Sequence, residues 1–413
     1  MRRAVSSLLI ALICLPLCAC WDALPLEERC IILGIGIDLI EDAAPGEPRF
    51  EFTFVSPLLQ ESRKYPTEVR VVRAHGFCEA VTMIEHTSAR TMFLGKVAFV
   101  MFGQAAARAG VVGHINELLV YPEMRLAAYV LTTPGRAKEA LTVVPPDGLI
   151  SQHIQNMLRR ANRANDLPPT NLDRFSTLIT APDHDPAATE LTPIGTIDPR
   201  PKENRGSESA GNDNNDGSSQ PGQDAGAKQE YLQITAIGLW QGDRLQGHVN
   251  LEESHYLHLA AGTVRNMPLL MLLPDDDRFT PEDSRILLRV LGSKPDWKLE
   301  LVEGRPRFHL RQVVNVTLEK YTGSVLLTKP ENTLQFRRLM EETISRNTLA
   351  VLQKVIDTGC DPLGLGEQMR VQYPAKWDPD RWRQLLQEAT VTVETRLNVR
   401  NLEILIRGLQ PSP

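Results

Sequence analysis

The sequence predicts a multi-domain protein of the α+β or mixed α/β class. Segments that alternate like strands occur together with amphipathic segments of helical period, on both sides of a long polar stretch. The chain has 413 residues, of which 42% are hydrophobic. A chain of this size can bury more than one core, so we expect two or three domains. No internal repeat of fixed period is evident, as a solenoid would require.

The part of the chain before residue 198 mixes both kinds of element. Apolar runs and alternating segments predict strands, and apolar residues repeated every three to four positions predict helices. The predicted strands cover residues 31–40, 50–55, 69–72, 94–102 and 126–131. The predicted helices cover residues 77–90, segments up to 120, residues 149–163 and about 171–179.

The part after residue 230 begins with a predicted hairpin, strands 232–240 and 245–250, turned at Gly242 and Asp243. A helix should follow at the acidic pair Glu252 and Glu253, since acidic residues favour a helix N-terminus. Gly359 should end a long amphipathic helix. The remaining predicted elements are strands 286–291, 297–302 and 308–319, the long helix 334–358, strand 391–399 and its extension at 402–406.

Residues 198–230 form a polar stretch between the two parts. Pro, Gly, Ser, Asn, Asp and Gln are concentrated there and large apolar residues are nearly absent. Such a composition cannot bury enough surface to offset the entropy of ordering, so it predicts a flexible linker between residues 20–197 and 231–413. The alternative is a loop inserted within one body.

The first 19 residues have the layout of a secretory signal peptide. Arg2 and Arg3 precede an apolar run at residues 8–17 that ends in small residues and a cysteine. The run is too short to cross a bilayer, for which about 20 residues are needed. Residues 17–20, Leu-Cys-Ala-Cys, resemble a bacterial lipobox, in which Cys20 is acylated and becomes the first residue. The alternative is an ordinary signal peptide with a chance cysteine near its end.

The net charge and the cysteine content exclude some classes of binding partner and of structural site. The formal net charge is −6, and cleavage before Cys20 would remove two arginines, so nucleic acid and anionic lipid surfaces are unsuitable partners. Behind Cys20 the chain keeps Cys30, Cys78 and Cys360. Three widely spaced thiols form no disulfide framework and lack zinc spacing, which favours buried structural thiols, although one bridge stays open.

Glycine pairs provide the first group of chemical candidates. Gly364 and Gly366 beside Glu367 could cradle a phosphate, but a dinucleotide fingerprint needs a third glycine between a strand and a helix. A turn is therefore favoured. Gly34 and Gly36 alternate with isoleucines and favour close packing of a strand over nucleotide binding.

Metal and nucleophile candidates form the second group. His255 and His258, with Glu252, share one face of a predicted helix, but no second ligand segment is found, so half-buried polar residues are favoured over a metal site. Residues 275–277 are three aspartates without the rest of a calcium loop, so a turn is favoured. No serine lies in a nucleophile elbow and no cysteine is placed for activation. The sequence predicts no catalytic residue, metal or cofactor.

Cys20, Trp21 and Asp22 are followed by an acidic segment and then by residues 31–38, which read I-I-L-G-I-G-I-D. This N-terminal segment resembles the Ger(x)C family, the C-subunit lipoproteins of spore germinant receptors. Residues 94–99 and the hairpin 238–247 also match in order, with Trp240 where phenylalanine is usual. Near the end the similar stretch reads D-P-L-G-L-G-E, at residues 361–367, followed by Tyr373, Pro374, Trp377 and Trp382.

The resemblance implies three domains built from mixed sheets flanked by helices, without a catalytic residue. It implies a subunit that works with a membrane-embedded A subunit and a transporter-like B subunit in the spore inner membrane. Cys20 would carry the lipid on the outer face of that membrane, and Trp21 and Asp22 beside it are candidates for membrane or partner contact. The alternatives are a solute-binding lipoprotein that delivers a ligand to a transporter, which needs two similar lobes and a cleft, and an exported hydrolase or metalloenzyme.

Overall fold

The computed structural model describes residues 25, 28–57, 67–145, 148–164, 170–194, 231–272, 286–321, 325, 327 and 329–400. The strands within these ranges are β1 Arg29–Ile31, β2 Gly34–Leu39, β3 Phe50–Pro57, β4 Thr67–Ala74, β5 Thr91–Phe93, β6 Phe99–Gly103, β7 Tyr129–Thr133, β8 Ala187–Ile194, β9 Tyr231–Gln241, β10 Arg244–Asn250, β11 Met267–Met271, β12 Ile286–Val302, β13 Arg305–Lys320 and β14 Thr390–Arg400. The α-helices are α1 Phe77–Thr87, α2 Gln104–Ala109, α3 Val112–Leu119, α4 Ala137–Thr142, α5 Ile150–Ala164, α6 Leu172–Leu178, α7 Leu251–Ala261, α8 Pro330–Asp357, α9 Leu365–Gln372 and α10 Pro379–Gln387.

The first body is built on an eight-stranded mixed sheet with the order β10-β9-β8-β7-β6-β2-β3-β4. Its four central strands, β8, β7, β6 and β2, are parallel, and an antiparallel strand pair closes each edge. Side chains alternate between the faces, so β6 directs Val100 and Phe102 to one core and Phe99 and Met101 to the other. Helices α1, α3 and α6 cover the first face, and α4 and α5 cover the second.

The second body is built on a four-stranded sheet with the order β11-β12-β13-β14. The first three strands are antiparallel and β14 is parallel to β13. The 28-residue helix α8 packs on this sheet and buries Phe336, Met340 and Ile344 at spacings of four residues, the period of one helix face. The core also receives Ile237 and Leu239 from β9, so the two bodies share that strand.

The fold class predicted from the sequence is confirmed, because mixed sheets flanked by helices make up both bodies. Helix α5, the N-cap of α6 at Asn171, the hairpin of β9 and β10, and the end of α8 before Gly359 all lie where the sequence predicts them. The expectation of three domains from the resemblance stays an expectation.

The topology differs from the two-body interpretation of the linker. Strand β9 pairs with β8 over eight positions, so residues 231–250 belong to the same sheet as residues 34–194. Residues 198–230 therefore connect two adjacent strands of one sheet, which is the inserted-loop alternative. Strand β9 contributes side chains to both cores, because Trp240 packs in the core of the first body and Leu239 in the core of the second.

Several strand predictions differ from the structure in their extent, and the predicted strand 31–40 is divided into β1 and β2. Residues 94–98 form a turn before β6 and residues 126–128 a turn before β7. Leu94, Val97 and Ala98 are apolar because they cover the core, whereas Leu126 is 47% exposed. The segments 286–291 and 297–302 form one strand, β12, with a register shift between Val290 and Gly292. The predicted extension 402–406, the acidic run 275–277, the leader 1–19 and the linker 198–230 lie outside the described residues.

Candidate functional site at the junction of the two bodies

The junction lies where the chain turns between α8 and α9. Gly359 has φ 71° and ends α8, and Gly364 has φ 67° and caps α9, both in the left-handed region that glycine adopts without a steric cost. The two glycines hold residues 360–363 against the loop that precedes β8. This loop carries Asp183, His184 and Asp185.

Asp361 is the centre of the junction and is 2% exposed. Its carboxylate accepts hydrogen bonds from the backbone N–H groups of Leu365 at 2.8 Å and Gly366 at 2.7 Å. The Trp382 indole Nε1–H also donates to it, at 3.3 Å. One side chain therefore satisfies two free N–H groups at the start of α9 and attaches α10 to them.

Asp185 connects Asp361 to three further elements. Its Oδ2 accepts from the Asp361 backbone N–H at 2.9 Å, and its own N–H donates to the Asp361 carbonyl at 2.9 Å. Its Oδ1 accepts from the Gly242 N–H at 2.7 Å and from the Arg383 guanidinium at 2.8 Å. The carboxylate thus joins the loop before β8, the turn between β9 and β10, the α8–α9 turn and α10.

The glycines of this turn are required by close contacts. A methyl group at Gly366 would lie 2.7 Å from Trp382 Nε1 and 2.8 Å from the Asp183 carbonyl oxygen. The backbone amides of Leu365 and Gly366 already bond to the Asp361 carboxylate. The turn predicted here is present between α8 and α9, and α9 begins directly after it.

The electrostatics of the junction follow from its burial. Removal of Asp361 from water raises the pKa of its carboxyl group to about 7, against the opposing effect of its N–H donors. Burial likewise raises the pKa of the Cys360 thiol to about 12 and lowers the pKa of His184. Arg370 Nε and Asp183 Oδ2 form an ion pair of 2.6 Å at the outer side of the junction.

A second buried aspartate has the same role in the first body. Asp38, the last residue of the I-G-I-D stretch, is 2% exposed and accepts from the N–H groups of Ala137 at 2.7 Å and Lys138 at 2.9 Å, at the start of α4. Burial is the main effect on this carboxyl group and raises its pKa. Both family-like motifs therefore contain a buried aspartate whose carboxylate accepts from the first N–H groups of a helix, which is α4, far along the chain, for Asp38 and α9, directly after the turn, for Asp361.

The residues predicted for lipidation and contact, Cys20, Trp21 and Asp22, lie outside the described residues. Cys30, Cys78 and Cys360 are free thiols, and Cys30 and Cys360 are buried. His258 Nδ1 lies 2.9 Å from Thr263 Oγ1. Among the described residues, no group of three or more His, Cys, Asp or Glu side chains is placed to hold a metal ion.

The sequence analysis named Asp361 and Trp382 only as residues that carry the family resemblance, and it missed Asp185 and Arg383. Asp185 lies in a stretch rich in Pro, Asp and His, where an exposed loop is the ordinary expectation. Its burial depends on pairing between segments 176 residues apart, which no local pattern reveals. The only sequence signal for Arg383 is its position next to Trp382, a residue that carries the family resemblance.

The cavity at the junction is too small for a solute cleft. It has a volume of about 100 Å³ and is lined by residues from both bodies, among them Arg174, His184, His258 and Leu363. Pockets for drug-sized ligands measure about 300–1,000 Å³. The two bodies also differ in strand number and topology, whereas a solute-binding lipoprotein needs two similar lobes.

The fold and the junction define a multi-domain mixed α/β protein whose two bodies are connected through buried aspartates. A family model described as "Spore germination protein N-terminal domain" matches residues 22–193, and one described as "Spore germination B3/ GerAC like, C-terminal" matches residues 235–403. The chain belongs to this family of spore germination proteins, the C subunits of germinant receptors.

A solved structure titled "Crystal Structure of the GerBC protein" has the same fold. The TM-score is 0.53 at 14% sequence identity, over 89% of this chain and 97% of that chain. No curated protein matches the chain. Within the described ranges, no helix has both the length and the apolar composition needed to cross a bilayer.

Proposed function

We propose that this chain is the lipid-anchored, non-catalytic C subunit of a nutrient germinant receptor, held through Cys20 on the outer face of the spore inner membrane. It supports germination by assembly with the membrane-embedded A subunit and the transporter-like B subunit. The observation that carries the proposal is the match of both family models, in order, to residues 22–193 and 235–403. The first match begins just behind Cys20, which supports a mature protein that starts at this cysteine.

The described contacts support a role in assembly. The charged and polar groups at the centre of the junction, Asp361, Asp185 and Arg383, are bonded to one another or to backbone amides. Hydrogen bonds to buried carboxylates from both bodies fix the relative position of the two bodies, because each carboxylate would be costly to leave unpaired. A rigid pair of bodies on a lipid anchor presents its surfaces to membrane-embedded partners in a constant orientation.

The anchor is tested by intact-mass analysis and membrane fractionation of the wild type and Cys20→Ala. The wild type should carry acyl mass on Cys20 and sediment with membranes, and Cys20→Ala should lose both. Two acyl chains are enough for stable anchoring, since each buried methylene contributes about 0.8 kcal/mol. Cys18→Ala is the matched control, because Cys18 lies in the predicted leader; it should behave like the wild type. An unacylated wild type contradicts the anchor.

Assembly is tested by affinity purification of the tagged full chain from detergent-solubilised spore membranes. The A and B subunits should co-purify with the wild type. Trp21→Ala and Asp22→Ala should lower their recovery if these residues form the predicted contact beside the anchor. Val371→Ala is the control, because this exposed side chain, 66% accessible, lies far along the chain on α9. Absence of A and B from the wild-type eluate contradicts the assignment.

A further inference from the structure

A polar cavity of about 260 Å³ lies on the first body, away from the junction. Helix α5 provides one wall with Gln155, Arg159 and Asn162, which lie on one face at spacings of four and three residues. The opposite wall is formed by Arg125 in the turn before β7, Tyr129 at the start of β7, Asn171 at the start of α6, and two alanines, Ala98 and Ala127.

Among the described residues, the lining carries positive charge without a carboxylate. Arg125 and Arg159 both line the cavity, and none of the other described lining residues is acidic. Among the residues that the structure describes, no carboxylate lies within ion-pair distance of either guanidinium group. Two guanidinium groups beside one concave surface concentrate positive potential there and attract an anion.

The hydrogen-bond acceptors of the lining are largely used within the protein. Asn171 Oδ1 accepts from the Arg174 N–H at 2.9 Å, and Gln155 Oε1 accepts from Arg159 Nη2 at 3.5 Å. The Tyr129 hydroxyl accepts from Asn162 Nδ2 at 3.1 Å, so its own hydrogen is available to a ligand. The groups left for a ligand are mainly donors: the two guanidinium groups, the phenol and the amide NH₂ groups.

We propose that this cavity binds a small oxyanion, a carboxylate or a phosphate monoester. A donor-rich, cationic lining selects an acceptor-rich, anionic ligand, and guanidinium groups match the geometry of carboxylate and phosphate oxygens. The volume of about 260 Å³ is below the range of about 300–1,000 Å³ for drug-sized ligands, so the ligand is small. The acidic chain as a whole favours a soluble anion over the headgroup of an anionic lipid.

The test is calorimetric titration of the full chain in detergent with three probes: sodium acetate, glycerol phosphate, and dihexanoyl phosphatidylglycerol below its micellar concentration. Arg125→Gln and Arg159→Gln each remove one guanidinium group and keep a polar side chain. Arg160→Gln is the matched control, since Arg160 is the next residue on α5, is exposed, and does not line the cavity.

Acetate or glycerol phosphate should bind to the wild type and to Arg160→Gln with equal affinity. Arg125→Gln and Arg159→Gln should each weaken binding about tenfold, the effect of losing one hydrogen bond to a charged group. Binding of the phosphatidylglycerol probe alone, weakened by the same two substitutions, would identify a lipid headgroup as the source of the oxyanion. The proposal is overturned if no probe binds at 10 mM, a concentration at which affinities of about 1 mM are readily detected. It is also overturned if all variants bind the probes equally.

Discussion

Asp185 and Asp361 hold each other by two hydrogen bonds of 2.9 Å that run in opposite directions, from the Asp361 N–H to Asp185 Oδ2 and from the Asp185 N–H to the Asp361 carbonyl. Asp185 lies in the loop before β8 and Asp361 in the turn after α8, so this pair of hydrogen bonds joins the first body to the second. Asp185 Oδ1 also bonds the β9–β10 turn and α10, and the Asp361 carboxylate bonds the start of α9 and Trp382 of α10. A change at either residue should therefore loosen several contacts at once.

Asp361→Asn should lower the free energy of unfolding by about 3 kcal/mol, because an NH₂ group would face N–H donors that the carboxylate now satisfies. The measurement is the urea midpoint of the full chain at pH 8. Asp296→Asn is the matched control, as Asp296 is exposed on β12, and it should change the midpoint little. Equal midpoints for both variants would contradict the role of Asp361 as a cap.

Stability should also depend on pH through Asp361. An unfolded Asp loses its proton near pH 4, whereas the pKa of Asp361 in the folded chain is about 7. Between these values the folded state binds the proton more tightly, so the stability from this group is greatest below pH 4, falls as pH rises towards 7, and is constant above. From pH 5 to pH 8 the wild type should lose about 2 kcal/mol more than Asp361→Asn. Parallel profiles of the two proteins would exclude a raised pKa.

Gly366→Ala should destabilise the chain by more than about 2 kcal/mol, because the new methyl group would overlap Trp382 and the Asp183 backbone. Gly113→Ala provides the control. Gly113 lies in α3 with no atom within 4 Å of an added methyl group, and alanine there should stabilise by about 0.5–1 kcal/mol. Thermal unfolding of both variants gives the comparison. A Gly366→Ala protein as stable as the wild type would show that the turn has room for a side chain.

Trp240 fills the first core between Phe102 and Phe175, with ring centroids 6.4 and 5.1 Å away. Its indole Nε1 has no hydrogen-bond partner among the described residues. Trp240→Phe should therefore cost only about 1 kcal/mol, for lost volume, whereas Trp240→Ala should cost about 3–5 kcal/mol. Chemical unfolding distinguishes the two. A Trp240→Phe variant as unstable as Trp240→Ala would mean that the indole N–H makes a bond which the structure does not include.

Much of the local structure could be predicted because local chemistry specifies it. The apolar period of α5, the Gly-Asp turn between β9 and β10, and Gly359 at the end of α8 each act within one or two turns of chain. These elements lie where the sequence places them.

The pairing of β9 with β8 and the burial of Asp185 could not be predicted in this way. Both depend on contacts between residues far apart in the chain, and a buried strand between two cores looks the same in sequence as one at the edge of a separate body. Residues 94–98 show a related limit, since apolar residues that cover a core resemble a strand until their backbone pairing is known. The Arg125 and Arg159 cavity has no sequence signal, because its walls come from four separated segments.

Nutrient-triggered germination of spores that lack this chain tests the central claim most directly. Spores without the protein should germinate slowly in a nutrient mixture, measured as loss of optical density, and the wild-type gene should restore the rate while Cys20→Ala should not. Equal counts of heat-resistant spores in all strains would show that sporulation itself is intact. Normal germination without this protein, in a strain with no redundant receptor, would contradict its function as a germinant receptor subunit.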